Sequence, residues 1–154
     1  MSGERMREKN RPFRRSARTL ARGAQRSKRV WSMLMIAIGA AVGANLRYAL
    51  SLWAARQWGV AFPYGTLLIN VSGSFAIGVV MVLLTTRFSG GDSWRLLLVT
   101  GLLGGFTTFS TFSYETYMLL VSGSWPAAGL NMLASVGLGM LGVVLGASLA
   151  RLIA

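Results

Sequence analysis

The stretch Gly101-Leu102-Leu103-Gly104-Gly105-Phe106-Thr107-Thr108-Phe109-Ser110-Thr111-Phe112-Ser113 lies within an apolar segment running from about Trp94 to Val121. Adjacent glycines followed by Thr and Ser hydroxyls give an ordinary membrane helix no advantage. Backbone inside a bilayer leaves the helical path only where protein buries it or where it lines a cavity. The composition therefore predicts a break at Gly104–Thr108, which would turn main-chain carbonyls toward a cation. The plainer alternative is a kinked helix that holds no ion.

Three more apolar segments surround this one, at about Trp31–Ala55, Tyr64–Thr86 and Trp125–Ile153. Each exceeds the ~20 helical residues needed to cross roughly 30 Å of hydrocarbon. The connections Gln57–Pro63, Ser89–Asp92 and Ser122–Ser124 are short, so successive helices run antiparallel. Trp31, Trp53, Trp58, Tyr64, Trp94 and Trp125 fall near segment ends, where interfacial aromatics belong. Gly39/Gly43, Gly101/Gly105 and Gly142/Gly146 have the spacing of close helix contacts in lipid. The expectation is an all-α membrane protein of four spans over 31–154.

Composition agrees. The 154 residues are 53% hydrophobic and only 13% charged, too little charge to cover a soluble domain. Eleven of the 16 Lys and Arg residues precede Trp31, so the net charge of +12 belongs to a tail. Residues 1–30 read as a disordered basic arm, cytoplasmic by the positive-inside rule. Anionic lipid is its expected contact. Phe13 is its only aromatic residue before Trp31, which argues against base stacking and against a nucleic-acid partner. Cysteine and histidine are absent, and the membrane segments hold one acid, Glu115. Disulfides, thiolate chemistry and the commonest general base are thereby excluded, and the composition argues against an enzyme.

Polar groups within membrane spans mark pathways or packing. Arg47, in Asn45-Leu46-Arg47, either snorkels to the headgroups or supplies a fixed positive charge near a pore entrance. Asn70 either locks helices together or offers amide protons to a desolvated anion. Phe109 and Phe112 share a helical face; their ring edges are electropositive, and Ser110 and Thr111 add O–H donors beside them. Glu115 pairs with Arg47 or another cation, titrates, or stands beside an anion path in a supporting role.

At these residues the sequence resembles the Fluc/CrcB family of fluoride channels. The likeness runs from about Gly39 to Arg151 and rests on Gly43-Ala44-Asn45-Leu46-Arg47-Tyr48, Gly65-Thr66-Leu67 with Asn70, and Gly104 through Ser113 with Glu115. The resemblance implies an antiparallel dimer of four-helix subunits with two fluoride pores and a broken third helix. It implies a structural Na⁺ held by the carbonyls of Gly104 and Thr107. It places Asn70, Phe109, Ser110, Thr111 and Phe112 along the fluoride pathway and Arg47 near its entrance. The implied function is passive fluoride export across the inner membrane, lowering cytoplasmic fluoride toxicity.

Two departures from the family stand out. The long basic arm favours one orientation, which suits either a heterodimer with an oppositely inserted relative or a homodimer in which the arm is not decisive. Leu133 stands where the family often has a polar-tipped aromatic. Among rivals, a small multidrug-type proton-coupled antiporter needs an acid in its first helix, and this first segment has none. A non-transport assembly or chromosome-associated role would rest on the arm alone.

Overall fold

A computed structural model describes residues 11–87 and 92–154. Helix α1 runs Arg11–Trp58 and α2 runs Tyr64–Thr86. The third apolar segment is composite. It comprises a short turn α3 (Asp92–Arg95), a π-helix (Leu96–Leu103), one further turn α4 (Gly104–Phe106) and helix α5 (Phe109–Val121). Helix α6 runs Trp125–Ile153. Among the described residues, four stretches are long and apolar enough to cross a membrane: Gln25–Trp58, Tyr64–Thr86, Ser93–Val121 and Trp125–Ile153.

The chain divides into two compact units, Met1–Leu34 and Met35–Ala154. In the first, composition predicts no regular structure over 1–30, yet the chain is helical from Arg11; residues 1–10 lie outside the described residues. The physical reason is local. Beyond Pro12 the arm is rich in Arg, Ala, Leu and Gln, all strong helix formers, and elongating an existing helix avoids the cost of nucleation. Gln25 to Val30 are exposed, and the Ser32 hydroxyl donates to the Lys28 carbonyl at 3.0 Å.

In the second unit, α2 and α6 pair extensively. Small residues make it possible. A Cβ added at Gly146 would collide with the Phe75 carbonyl, and one at Gly78 with the Val143 carbonyl. The same device joins α1 to the third segment. A Cβ at Gly101 would stand 2.8 Å from the Ile36 carbonyl oxygen, and one at Gly105 2.7 Å from that of Ala40. All three glycine pairs singled out by spacing therefore sit at helix–helix contacts. Replacing Gly146 with Leu should force α2 and α6 apart and cost about 1–3 kcal/mol or more, as overpacking does. Thermal unfolding in detergent, followed by loss of monodisperse protein, reads this directly; an unshifted midpoint would contradict the packing.

The connections close with simple backbone chemistry. Gly59 begins the first loop in the left-handed region at φ +72°, and its N–H caps the Ala55 carbonyl at 2.9 Å. Helix α5 ends in a Schellman arrangement: Ser124 N–H reaches Leu119 C=O at 2.8 Å and Gly123 N–H reaches Leu120 C=O at 3.1 Å. Gly123, at φ +78°, takes the position that asks for a residue without a Cβ. Pro126 occupies the first turn of α6, where its missing N–H costs nothing. Residues 89–91 of the predicted Ser89–Asp92 turn lie outside the described residues.

Outward surfaces are apolar. Leu133 is 77% exposed and Leu152 84%, whereas among the described residues the fully buried large side chains are Ile69 and Asn131. Surfaces of this kind suit lipid as solvent.

Candidate functional site

The site is built where the helix of the third segment is interrupted. Thr107 (φ −79°, ψ 158°) and Thr108 (φ −152°, ψ 114°) are extended, separating α4 from α5. Interruption frees polar backbone groups, and each must find a partner. Asn70, on α2, meets the need at Thr108. Its Oδ1 accepts the Thr108 N–H at 2.8 Å, and its Nδ2 donates to the Thr108 C=O at 3.0 Å. One side-chain amide thus clasps one residue's backbone on both sides. Thr108 is only 8% exposed, so water does not replace this clasp readily.

Two carbonyls lose their usual donors as a result. In a continuous helix the Thr108 N–H would serve Gly104 C=O, but it goes to Asn70. The Thr111 N–H would serve Thr107 C=O, but it goes to the Thr108 hydroxyl at 3.2 Å, which caps α5. Gly104 and Thr107 are the residues that the resemblance assigns to Na⁺. Neutral carbonyl oxygens released from intrahelical bonding suit a hard monovalent cation, so the residues present fit that group. Among the described residues, no cluster of His, Cys, Asp or Glu side chains offers a rival metal site.

Thr108 also organises hydroxyls. Its O–H donates to Thr111 Oγ1 at 2.9 Å, and Ser110 Oγ lies at 3.4 Å. The Thr111 proton is then free to point elsewhere. Phe109 and Phe112 sit on the first turns of α5 with ring centroids 5.6 Å apart and planes inclined at 47°. Phe109 is 79% exposed. Both rings line a cavity of about 350 Å³ together with Asn70, Thr107, Thr108 and Ser135. Asn70 keeps one amide proton beyond the clasp for whatever occupies that space. The arrangement offers N–H and O–H donors and polarised ring edges, with no carboxylate on the cavity wall.

Not every candidate residue converges here. Ser110 and Thr111 join through hydrogen bonds but do not line the cavity. Arg47 is half-buried and lines neither this cavity nor the next. Glu115 lies in a separate cavity of about 380 Å³ formed with the Gly59–Pro63 loop, beside Thr66 and Ser122. Its Oε2 is buried without a hydrogen-bond partner among the described residues, so the structure does not place it in a pair with Arg47.

Two polar residues on α6 that the sequence reading did not single out lie at or near the site. The Ser135 hydroxyl is buried, unpartnered among the described residues, and belongs to a residue lining the Phe109–Phe112 cavity. Asn131 is 1% exposed and donates to Thr116 Oγ1 at 2.8 Å. The signal for Asn131 was present, since an Asn in a membrane span is costly unless paired.

Among the described residues these features define a helical protein with four membrane-capable spans and a donor-lined cavity at an interruption of the third. The CrcB family profile, described as "CrcB-like protein, Camphor Resistance (CrcB)", matches residues 34–147. The chain is 66% identical over 122 residues to a protein of Roseiflexus sp. (strain RS-1), covering 79% of this chain and 98% of that one. It is 54% identical over 121 residues to a protein of Chloroflexus aurantiacus (78% and 95%) and 48% over 118 residues to one of Rhizobium etli (77% and 94%). Each relative bears the name "Fluoride-specific ion channel FluC". The chain belongs to the CrcB family.

Proposed function

We propose that this chain forms a fluoride-selective channel that lets fluoride leave the cell passively and so lowers its toxicity in the cytoplasm. The observation that supports this reading best is the meeting of Asn70, Thr108, Phe109 and Phe112 around one cavity. Fluoride is small and holds its water tightly, so a path for it must replace hydration with a few well-placed donors. The remaining Asn70 amide proton and the hydroxyls organised by Thr108 are such donors. Phe109 and Phe112 contribute ring edges, which bear positive charge without competing hydrogen-bond acceptors. A dry, narrow passage of this kind disfavours chloride, which is larger and gains less from each close donor. Arg47 would raise the local anion concentration from outside the cavity, and Glu115 stands apart from the path. No bond-making chemistry is required, so the chain would not be an enzyme.

In this reading the third span is a helix broken within the membrane at Thr107–Thr108. The chain pairs antiparallel with a second subunit, identical or related, across the exposed polar face of the break. The carbonyls of Gly104 and Thr107 would hold Na⁺ at the centre of the dimer, where the ion supplies a fixed positive charge shared between two subunits. The basic arm would stay cytoplasmic against anionic lipid, worth about 1 kcal/mol per basic residue near the surface. The protein would reside in the inner membrane. The antiporter alternative gains no support, because the first span has no acid and Glu115 sits in a different cavity.

A fluoride-sensitive bacterial strain lacking its own exporter tests the reading in cells. Expression of the native chain should restore growth in fluoride, while Phe112→Ile should not; growth no better than with empty vector would count against fluoride export by the chain alone. Topology is a separate prediction. A C-terminal reporter should report one orientation if the arm fixes insertion, and a substantial outward-facing population would sink that idea.

A further inference from the structure

We infer that Asn131 is a positioning residue, which acts through Thr116 to hold the Phe109–Phe112 turn of α5 against α6; this rests on the channel reading above. The contact is a short relay. Asn131 Nδ2 donates to Thr116 Oγ1 at 2.8 Å, and the Thr116 hydroxyl donates in turn to the Phe112 carbonyl at 2.7 Å. Both side chains are sealed from solvent, Asn131 at 1% and Thr116 at 6% exposure. Among the described residues it is the side-chain hydrogen bond joining α5 to α6, whose pairing is far less extensive than that of α2 with α6. Between these two helices a directional bond therefore has correspondingly more to decide.

The register matters because of what lies one turn away on each helix. Thr116 is four residues beyond Phe112, and Ser135 is four residues beyond Asn131, so each pair shares a helical face. Fixing Asn131 on Thr116 brings Ser135 and Phe112 to the wall of the same cavity. Neither Asn131 nor Thr116 lines that cavity, so their influence passes through the placement of the ring and the hydroxyl. If α5 slides or rotates on α6, Phe112 presents a different part of its edge and Ser135 loses its aim. Selectivity, which depends on donor placement, then degrades before folding does.

Thr116→Val removes the relay with almost no change of shape, and Asn131→Leu removes it from the other side. Both are reconstituted in liposomes, and fluoride and chloride efflux are normalised to folded protein. Each variant should lose roughly tenfold in fluoride efflux per folded channel and show a lower fluoride-to-chloride ratio. The double variant should be no worse than the poorer single one, because both break a single link. Thr116→Ser, which keeps the hydroxyl, should restore native efflux. Should Asn131→Leu fail to fold, Thr116→Val and Thr116→Ser decide the matter alone. Undiminished efflux and ratio in Thr116→Val beside a conducting native chain would overturn the inference. A native chain that passes no fluoride would instead overturn the channel reading on which it rests.

Discussion

Asn70→Leu should abolish fluoride conduction and destabilise the protein together. Leucine is close in volume but neither accepts the Thr108 N–H nor donates to the Thr108 C=O, the two bonds the native amide makes at 2.8 and 3.0 Å. Both backbone groups would then be buried without partners, at about 1–3 kcal/mol each. Asn70→Asp separates the two consequences. Aspartate still accepts the Thr108 N–H, so most of the fold should survive. It has no proton for the Thr108 carbonyl or for an anion, and its charge would face the cavity. Conduction should therefore fall at least as far in Asn70→Asp as in Asn70→Leu, with a smaller drop in the unfolding midpoint. Equal stability loss in both would mean that the clasp on the N–H carries little weight.

The second large effect is expected at Phe112. Phe112→Ile keeps an apolar side chain but removes the ring edge and the 5.6 Å contact with Phe109. The cavity wall loses a polarised ring edge, so fluoride efflux should fall at least roughly tenfold, while the lost aromatic pair costs about 0.5–1.5 kcal/mol of stability. The fold should survive that modest loss, since α5 is also held by its Thr108 cap and its Schellman end. Phe109→Ile should reproduce the loss, and combining the two should add little. Phe109 is 79% exposed in the single chain, so its substitution removes little packing within the subunit. A Phe112→Ile channel conducting at native levels would exclude a role for ring edges, whatever its stability.

The four spans were legible because hydropathy and loop chemistry act locally. The glycines at Gly101, Gly105 and Gly146 behave as their spacing foretold, since a missing Cβ has one obvious use where helices touch. The helical start at Arg11 was not legible, because charge pattern suggested solvent where helix propensity and an adjoining helix favoured continuation. The π-helix over Leu96–Leu103 has no sequence signature at all, since its residues would also suit an α-helix. The double bond from Asn70 to Thr108 joins positions far apart in sequence, and residue type alone could not say how many amide protons it would spend on the protein. Asn131 was conspicuous as an Asn in a membrane span, but its partner was not: Thr116 is an ordinary polar residue until folding places the two side chains 2.8 Å apart. Arg47 and Glu115 looked like natural partners by charge, yet the buried Glu115 oxygen is unpartnered among the described residues and Arg47 lines neither cavity.

Passive efflux from liposomes is the most direct test of the central claim. The purified chain is reconstituted, fluoride and chloride release are followed with ion-selective electrodes, and an oppositely oriented relative is supplied in parallel vesicles. Fluoride release without chloride release, from the chain alone or with the relative, is expected of a fluoride-selective channel. Absence of fluoride release in both preparations, from folded protein, would contradict it.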